Sequence, residues 1–134
     1  MTGKKLRASS AAGKAIAYYM GGGGATADFE GGMSTLNWDR FPGAGLDIMH
    51  LDPLRVVVSA WAYAKCDDDL AAFGRAADIS RASGEEPLLE VFEDGCVMGA
   101  RVVAGRLSWP EMVDTIDDWM EAFYGMLEEA GWEP

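Results

Sequence analysis

The sequence predicts a mainly α-helical domain of about five helices with a glycine-rich irregular segment, and three observations carry that reading. Apolar residues recur at three- and four-residue spacing across residues 110–130, the mark of one helical stripe. Asp52-Pro53 precedes residues 56–64, which are apolar nearly all round. Ser9 and Ser10 precede an alanine-rich stretch that ends at Gly21. At 134 residues the chain fits one domain, 1–134, able to bury a core without a disulfide or a metal. Within it, residues 21–45 form a flexible glycine-rich segment and residues 85–134 an acidic helical region.

The first helix is expected over residues 9–20, where a serine hydroxyl can accept a first-turn N–H, Ala11, Ala12, Ala15 and Ala17 favour helix, and Gly21 stops it. Glycine and proline punctuate residues 25–50, with one short helix expected around 34–40. Asp52-Pro53 reads as a helix start: the carboxylate caps, and proline sits in the first turn, where its missing N–H costs nothing. Val56, Val57, Val58, Ala60, Trp61 and Ala62 then make the central helix of the core, with Trp61 buried. The β-branched valines admit a strand as the alternative. Asp67, Asp68 and Asp69 offer a cap for a short helix through Leu70, Phe73, Ala76, Ala77 and Ile79.

Ser83 and Glu86 have capping-box spacing before Leu88, Leu89, Phe92, Cys96, Gly99 and Val103, which recur at helical spacing and end at Gly105. The competing reading is an α+β fold with a β-hairpin at 88–103, turning at Asp94-Gly95. Ser108-Trp109-Pro110-Glu111 is a second capping box. It opens the last helix, whose stripe includes Met112, Val113, Ile116, Trp119, Met120, Phe123 and Leu127, with Trp119 packing toward the same interior as Trp61.

The charge is asymmetric. Residues 1–84 carry nine Lys/Arg and nine Asp/Glu, whereas residues 85–134 carry two against thirteen, which accounts for the net charge of −11. On the last helix Glu111, Asp114, Asp117, Asp118, Glu121, Glu128 and Glu129 run opposite the apolar stripe with no Lys or Arg among them. Like charges at i,i+4 weaken a helix, so packing or a basic partner must compensate. These seven carboxylates are the candidate protein-binding face, with Trp109 and Trp132 as its anchors. Trp132 is near the terminus, and its truncation is expected to be harmless. A chain of pI about 4.3 repels a polyanion, which argues against nucleic acid as a direct ligand. Solubility alone is the other explanation of the charge.

Catalytic and cofactor patterns are weak. Gly13-Lys14-Ala15 lacks the upstream glycine and the hydroxyl residue of a phosphate loop. Asp67, Asp68 and Asp69 lack the alternating ligands, central glycine and closing glutamate of a calcium loop. His50, the single histidine, pairs on paper with Cys66 or Cys96 as base and nucleophile, but no third orienting residue is identifiable; it reads as a loop residue. No cofactor, no metal and no enzymatic activity are expected. Lys4, Lys5 and Arg7 precede an apolar run that Lys14 breaks, a poor signal peptide. The two cysteines have no metal-ligand spacing, and no stretch is long and apolar enough for a membrane span. A soluble, cytoplasmic protein is expected.

Asp52-Pro53-Leu54 through Trp61-Ala62, followed by Lys65, Asp68-Asp69-Leu70 and residues 76–79, resembles the helical tail assembly chaperones of long-tailed phages. Residues 9–21 resemble the early helix of that family. The likeness covers about forty residues; the glycine-rich stretch and the acidic C-terminal region depart from it. It implies a non-enzymatic protein that coats the apolar helices of a tape-measure protein until the tail tube assembles, working in the host cytoplasm. The expected function is therefore a protein-binding adaptor or chaperone whose partner presents a basic or apolar surface. The alternative is an acidic nucleic-acid mimic that inhibits a host defence protein, of the antirestriction or anti-CRISPR type.

Overall fold

The computed structural model describes residues 10–19, 35–84, 86–104 and 107–134. It has the order α1 (Ala11–Tyr19), β1 (Thr35–Phe41), β2 (Ala44–Asp52), β3 (Arg55–Tyr63), α2 (Asp67–Ser83), β4 (Glu90–Val91), β5 (Cys96–Ala104) and α3 (Trp109–Glu129). The strands form one antiparallel sheet in the order β1-β2-β3-β5-β4. The protein is thus α+β, and the prediction of a mainly helical domain of about five helices is corrected: the described residues hold three helices and five strands.

The largest correction is the supposed central helix. Residues 55–63 are strand β3, with Val56, Val58, Ala60 and Ala62 buried and Val57, Ser59 and Trp61 half-buried between them. Period two, not 3.6, describes that burial. Asp52-Pro53 opens no helix; Pro53 and Leu54 are the two-residue turn joining β2 to β3. Pro42-Gly43 joins β1 to β2 in the same way, with Gly43 at φ 72, a conformation that glycine adopts without strain. The short helix expected at 34–40 is replaced by β1, rich in aromatic and β-branched residues.

Residues 88–103 form no helix either. β4 pairs antiparallel with β5, Glu90 opposite Met98 and Val91 opposite Val97, and Asp94-Gly95 lies in the turn. The Asp94 carboxylate accepts the Cys96 N–H at 3.0 Å, and Gly95 has φ 86. Gly99 on β5 sits where space is tight: an added Cβ would stand 3.2 Å from both the Leu88 carbonyl oxygen and the Phe123 ring. Gly21 and Gly105, expected to end helices, lie outside the described residues, as does most of the glycine-rich segment.

The chain forms two compact units: Met1–Trp38, Asp47–Val58 and Val102–Asp117 in one, Asp39–Leu46, Ser59–Arg101 and Asp118–Pro134 in the other. The single-domain expectation concerned the chain as a whole. In the first unit, Ser10 caps α1 by accepting the Gly13 N–H at 3.0 Å, and the Pro53 carbonyl accepts the Ala12 N–H at 3.2 Å. Ala12, Ala15 and Ile16 of α1, Ile48 of β2, Val56 and Val58 of β3, and Met112 and Ile116 of α3 are buried in it.

In the second unit, α2 begins at Cys66, whose extended backbone makes no side-chain cap. Three aspartates occupy its first turn, where the helix dipole favours them. Asp69 reaches back to accept the Lys65 N–H at 2.8 Å and is buried. Gly84, in the left-handed conformation at φ 68, ends α2 and donates to the Ser80 carbonyl. Tyr124 carries the packing of α3 onto the strands: its hydroxyl stands 2.6 Å from the Gly45 carbonyl and 3.0 Å from that of Trp61, and donates between them.

Candidate docking face

Helix α3 has the amphipathic build that its sequence predicts. Its N-terminus is a reciprocal capping box: the Ser108 hydroxyl accepts the Glu111 N–H at 3.4 Å, and the Glu111 carboxylate accepts the Ser108 N–H at 3.1 Å. The Ser108 hydroxyl also donates to the Glu111 carboxylate at 2.8 Å, and that bond first, and then the one from the Ser108 N–H, holds the Glu111 carboxyl below its usual pKa. Met112, Val113, Ile116, Trp119, Met120, Phe123 and Leu127 are all buried. At 100° per residue they occupy one side of the helix, and the carboxylates occupy the other.

The carboxylates are not equivalent. Asp114, Asp118, Glu121, Glu128 and Glu129 are exposed, and among the described residues none lies within ion-pair distance of a Lys or Arg. Glu111 is exposed but engaged in the capping box. Asp117 is half-buried and accepts a 2.6 Å hydrogen bond from the Tyr19 hydroxyl, which also lies 3.1 Å from the Val113 carbonyl. Burial first, and then the Asp117 carboxylate, push the Tyr19 phenol well above its ordinary pKa. Asp117 therefore ties α1 to α3. Its short spacing from Asp114 and Asp118 concealed this, because a buried hydroxyl partner from a distant helix leaves no mark in a local pattern.

The two tryptophans separate. Trp109 is 37 % exposed and stands beside Tyr18, ring centroids 6.3 Å apart, so it remains an accessible aromatic at the start of α3. Trp132 is a correction: it is 3 % exposed. Its ring stacks on Tyr124 at 5.9 Å and meets Phe41 at 5.9 Å and Phe73 at 6.3 Å. It is a core residue of the second unit and cannot anchor a partner. The segment that holds it is fixed by cations: Arg75 donates from Nε and Nη2 to the Ala130 carbonyl at 3.0 and 2.6 Å, and Lys65 Nζ donates to the Glu133 carbonyl at 2.6 Å.

This explains how α3 ends. A helix C-terminus carries partial negative charge and prefers Lys or Arg in its last turn, yet α3 has no basic residue there and instead carries Glu128 and Glu129. Arg75 of α2 supplies the missing cation just past the helix end. The two glutamates oppose the dipole, and the acidic pairs Asp114/Asp118 and Asp117/Glu121 at i,i+4 repel along the helix.

The catalytic candidates fall differently from the sequence reading. His50 is no loop residue; it is fully buried on β2. Cys96 is buried at the start of β5, where its thiol donates to the Val97 carbonyl at 3.6 Å, and Cys66 is exposed at the start of α2; no disulfide joins them. Among the described residues no group of three or more His, Cys, Asp or Glu side chains could hold a metal ion, and no helix is long and apolar enough to cross a membrane. Comparison with family models, curated proteins and solved structures finds no match to this chain. The residues that carry the likeness to phage tail assembly chaperones include 52–62, where the implied helix is replaced by a turn and strand β3.

Proposed function

We propose that this protein is a non-enzymatic binding module that docks on a basic protein surface through the outer face of α3. The observation that carries the reading is the position of the charge. Asp114, Asp118, Glu121, Glu128 and Glu129 are exposed, lack a described cation beside them, and include pairs and helix-end sites that weaken the helix they stand on. A carboxylate row that works against its own helix is explained by a cation brought from outside. Such a row steers association and selects partners by charge more than it adds raw affinity. An exposed cysteine, Cys66, that forms no disulfide supports a reducing, cytoplasmic setting.

The test is capture from a cell lysate at low and moderate salt, comparing the native chain with an Asp114→Asn/Asp118→Asn/Glu121→Gln variant. Basic species held by the native chain, and lost with either the variant or added salt, are the expected result. Identical capture by both chains would leave only solubility for the charge. Where a captured species is itself a nucleic-acid-binding protein, displacement by duplex DNA reports whether the face occupies its nucleic-acid groove.

A further inference from the structure

An apolar groove lies along one edge of the acidic face, within the second compact unit. Ala76 and Ile79 of α2 and Ala122 and Met126 of α3 line a space of about 350 Å³ to which Glu86 and Glu129 add carboxylates. Ile79 is 59 % exposed, the most exposed large apolar side chain among the described residues. The sequence places it on the short helix that follows Asp69, and the structure leaves it at the groove. Leu88, at 55 % exposed, stands in a neighbouring space of about 280 Å³ lined also by Ser80 and Arg81 of α2.

Asp118, Ala122, Met126 and Glu129 follow one another at four- and three-residue steps, so they form a single row on α3. An apolar segment of this row is therefore bracketed by carboxylates along the helix. From Ala122 to Glu129 the row spans roughly 10 Å, two helical turns. That length matches two apolar side chains at i and i+4 on a third helix laid between α2 and α3, the helix-in-groove mode of recognition. Glu86 already stands 3.7 Å from Arg101, whereas Asp118, Glu121 and Glu129 have no described cation to satisfy them. A second copy of this chain is a poor occupant, since its own α3 would bring carboxylates against carboxylates.

We infer that the α2/α3 groove takes a short cationic amphipathic helix of a partner protein, with two apolar side chains over Ile79, Ala122 and Met126, and Lys or Arg residues over Asp118 and Glu129. This rests on the reading of α3 as a docking face and adds its apolar half. The apolar contact fixes position and register along the face, which the charges alone would leave loose.

The probe is a synthetic Leu/Lys helical peptide with leucines on one face, compared by fluorescence anisotropy with a peptide of the same charge in which every leucine is serine. The native chain should bind the leucine peptide at least about tenfold more tightly, the effect of burying one or two apolar side chains. Ile79→Asn and Ala122→Gln, both at exposed positions that leave the charge unchanged, should each reduce that preference to about twofold or less, on the same scale. Equal affinity of the two peptides for the native chain would overturn the groove while leaving the acidic face intact. A preference that survives both substitutions would place the apolar contact elsewhere and also overturn it. Failure of both peptides to bind, or binding indifferent to Asp114→Asn/Asp118→Asn/Glu121→Gln, would instead contradict the acidic face itself.

Discussion

Two aromatic residues that the local pattern left unassigned or misassigned do much of the binding between elements. Trp132 sits in a ring cluster with Phe41, Phe73 and Tyr124. Truncating a buried tryptophan to alanine destabilises by about 3–5 kcal/mol, so Trp132→Ala should unfold the protein at a much lower temperature, checked by thermal denaturation. That reverses the expectation drawn from its place near the terminus. Tyr19 donates to Asp117 from a buried position that raises its pKa. The folded phenol keeps its proton to higher pH than the unfolded one, so its contribution is complete below about pH 10 and is lost as pH rises above that. Tyr19→Phe should therefore flatten the fall in stability between about pH 10 and 11 and, by loss of the hydrogen bond, destabilise by about 1 kcal/mol at neutral pH. Denaturant titrations across that range check both.

At the scale of elements, legibility followed how far local signals agreed. α3 was readable because caps, a polar face and an apolar face coincide, and both the capping box at Ser108 and Glu111 and the buried stripe are as its sequence predicts. α1 was readable from Ser10 and its alanines. β3 was not, because both its faces carry apolar side chains: Val57, Trp61 and Tyr63 alternate with Val56, Val58, Ala60 and Ala62, and Ser59 is the one polar residue inside the strand, too little to mark period two. The apolar density then passed for a buried helix, and Asp52-Pro53, which serves turns and helix starts equally, reinforced the error. At β4–β5 the Asp94-Gly95 turn signal was correct, and Gly99 misled because its smallness answers to Phe123, a contact from distant sequence. Of the nine residues proposed as a docking face, the exposed carboxylates and Trp109 stand where a partner can reach them. Trp132 does not, since nothing in a C-terminal Gly-Trp-Glu-Pro announces the aromatic cluster that receives it.

For the molecule as a whole, the net charge of −11 resides almost entirely in one C-terminal region, and its densest run lies on a helix that it weakens. Arg75 and Lys65 hold the end of that helix and the following tail through carbonyl oxygens, leaving the carboxylate row unneutralised by the described residues. The proposed docking requires that this row be held against the helix for an external cation. The most direct test is the thermal midpoint of an Asp114→Asn/Asp118→Asn/Glu121→Gln/Glu128→Gln variant beside the native chain, at about 10 mM and about 500 mM salt, conditions that leave surface charges unscreened and screened. Removing the repulsion should raise the midpoint at low salt, by about 0.2–0.5 kcal/mol for each relieved pair, with the difference closing at high salt. A variant less stable than the native chain at both salts would mean that these carboxylates hold the fold together, and would contradict a face kept for docking.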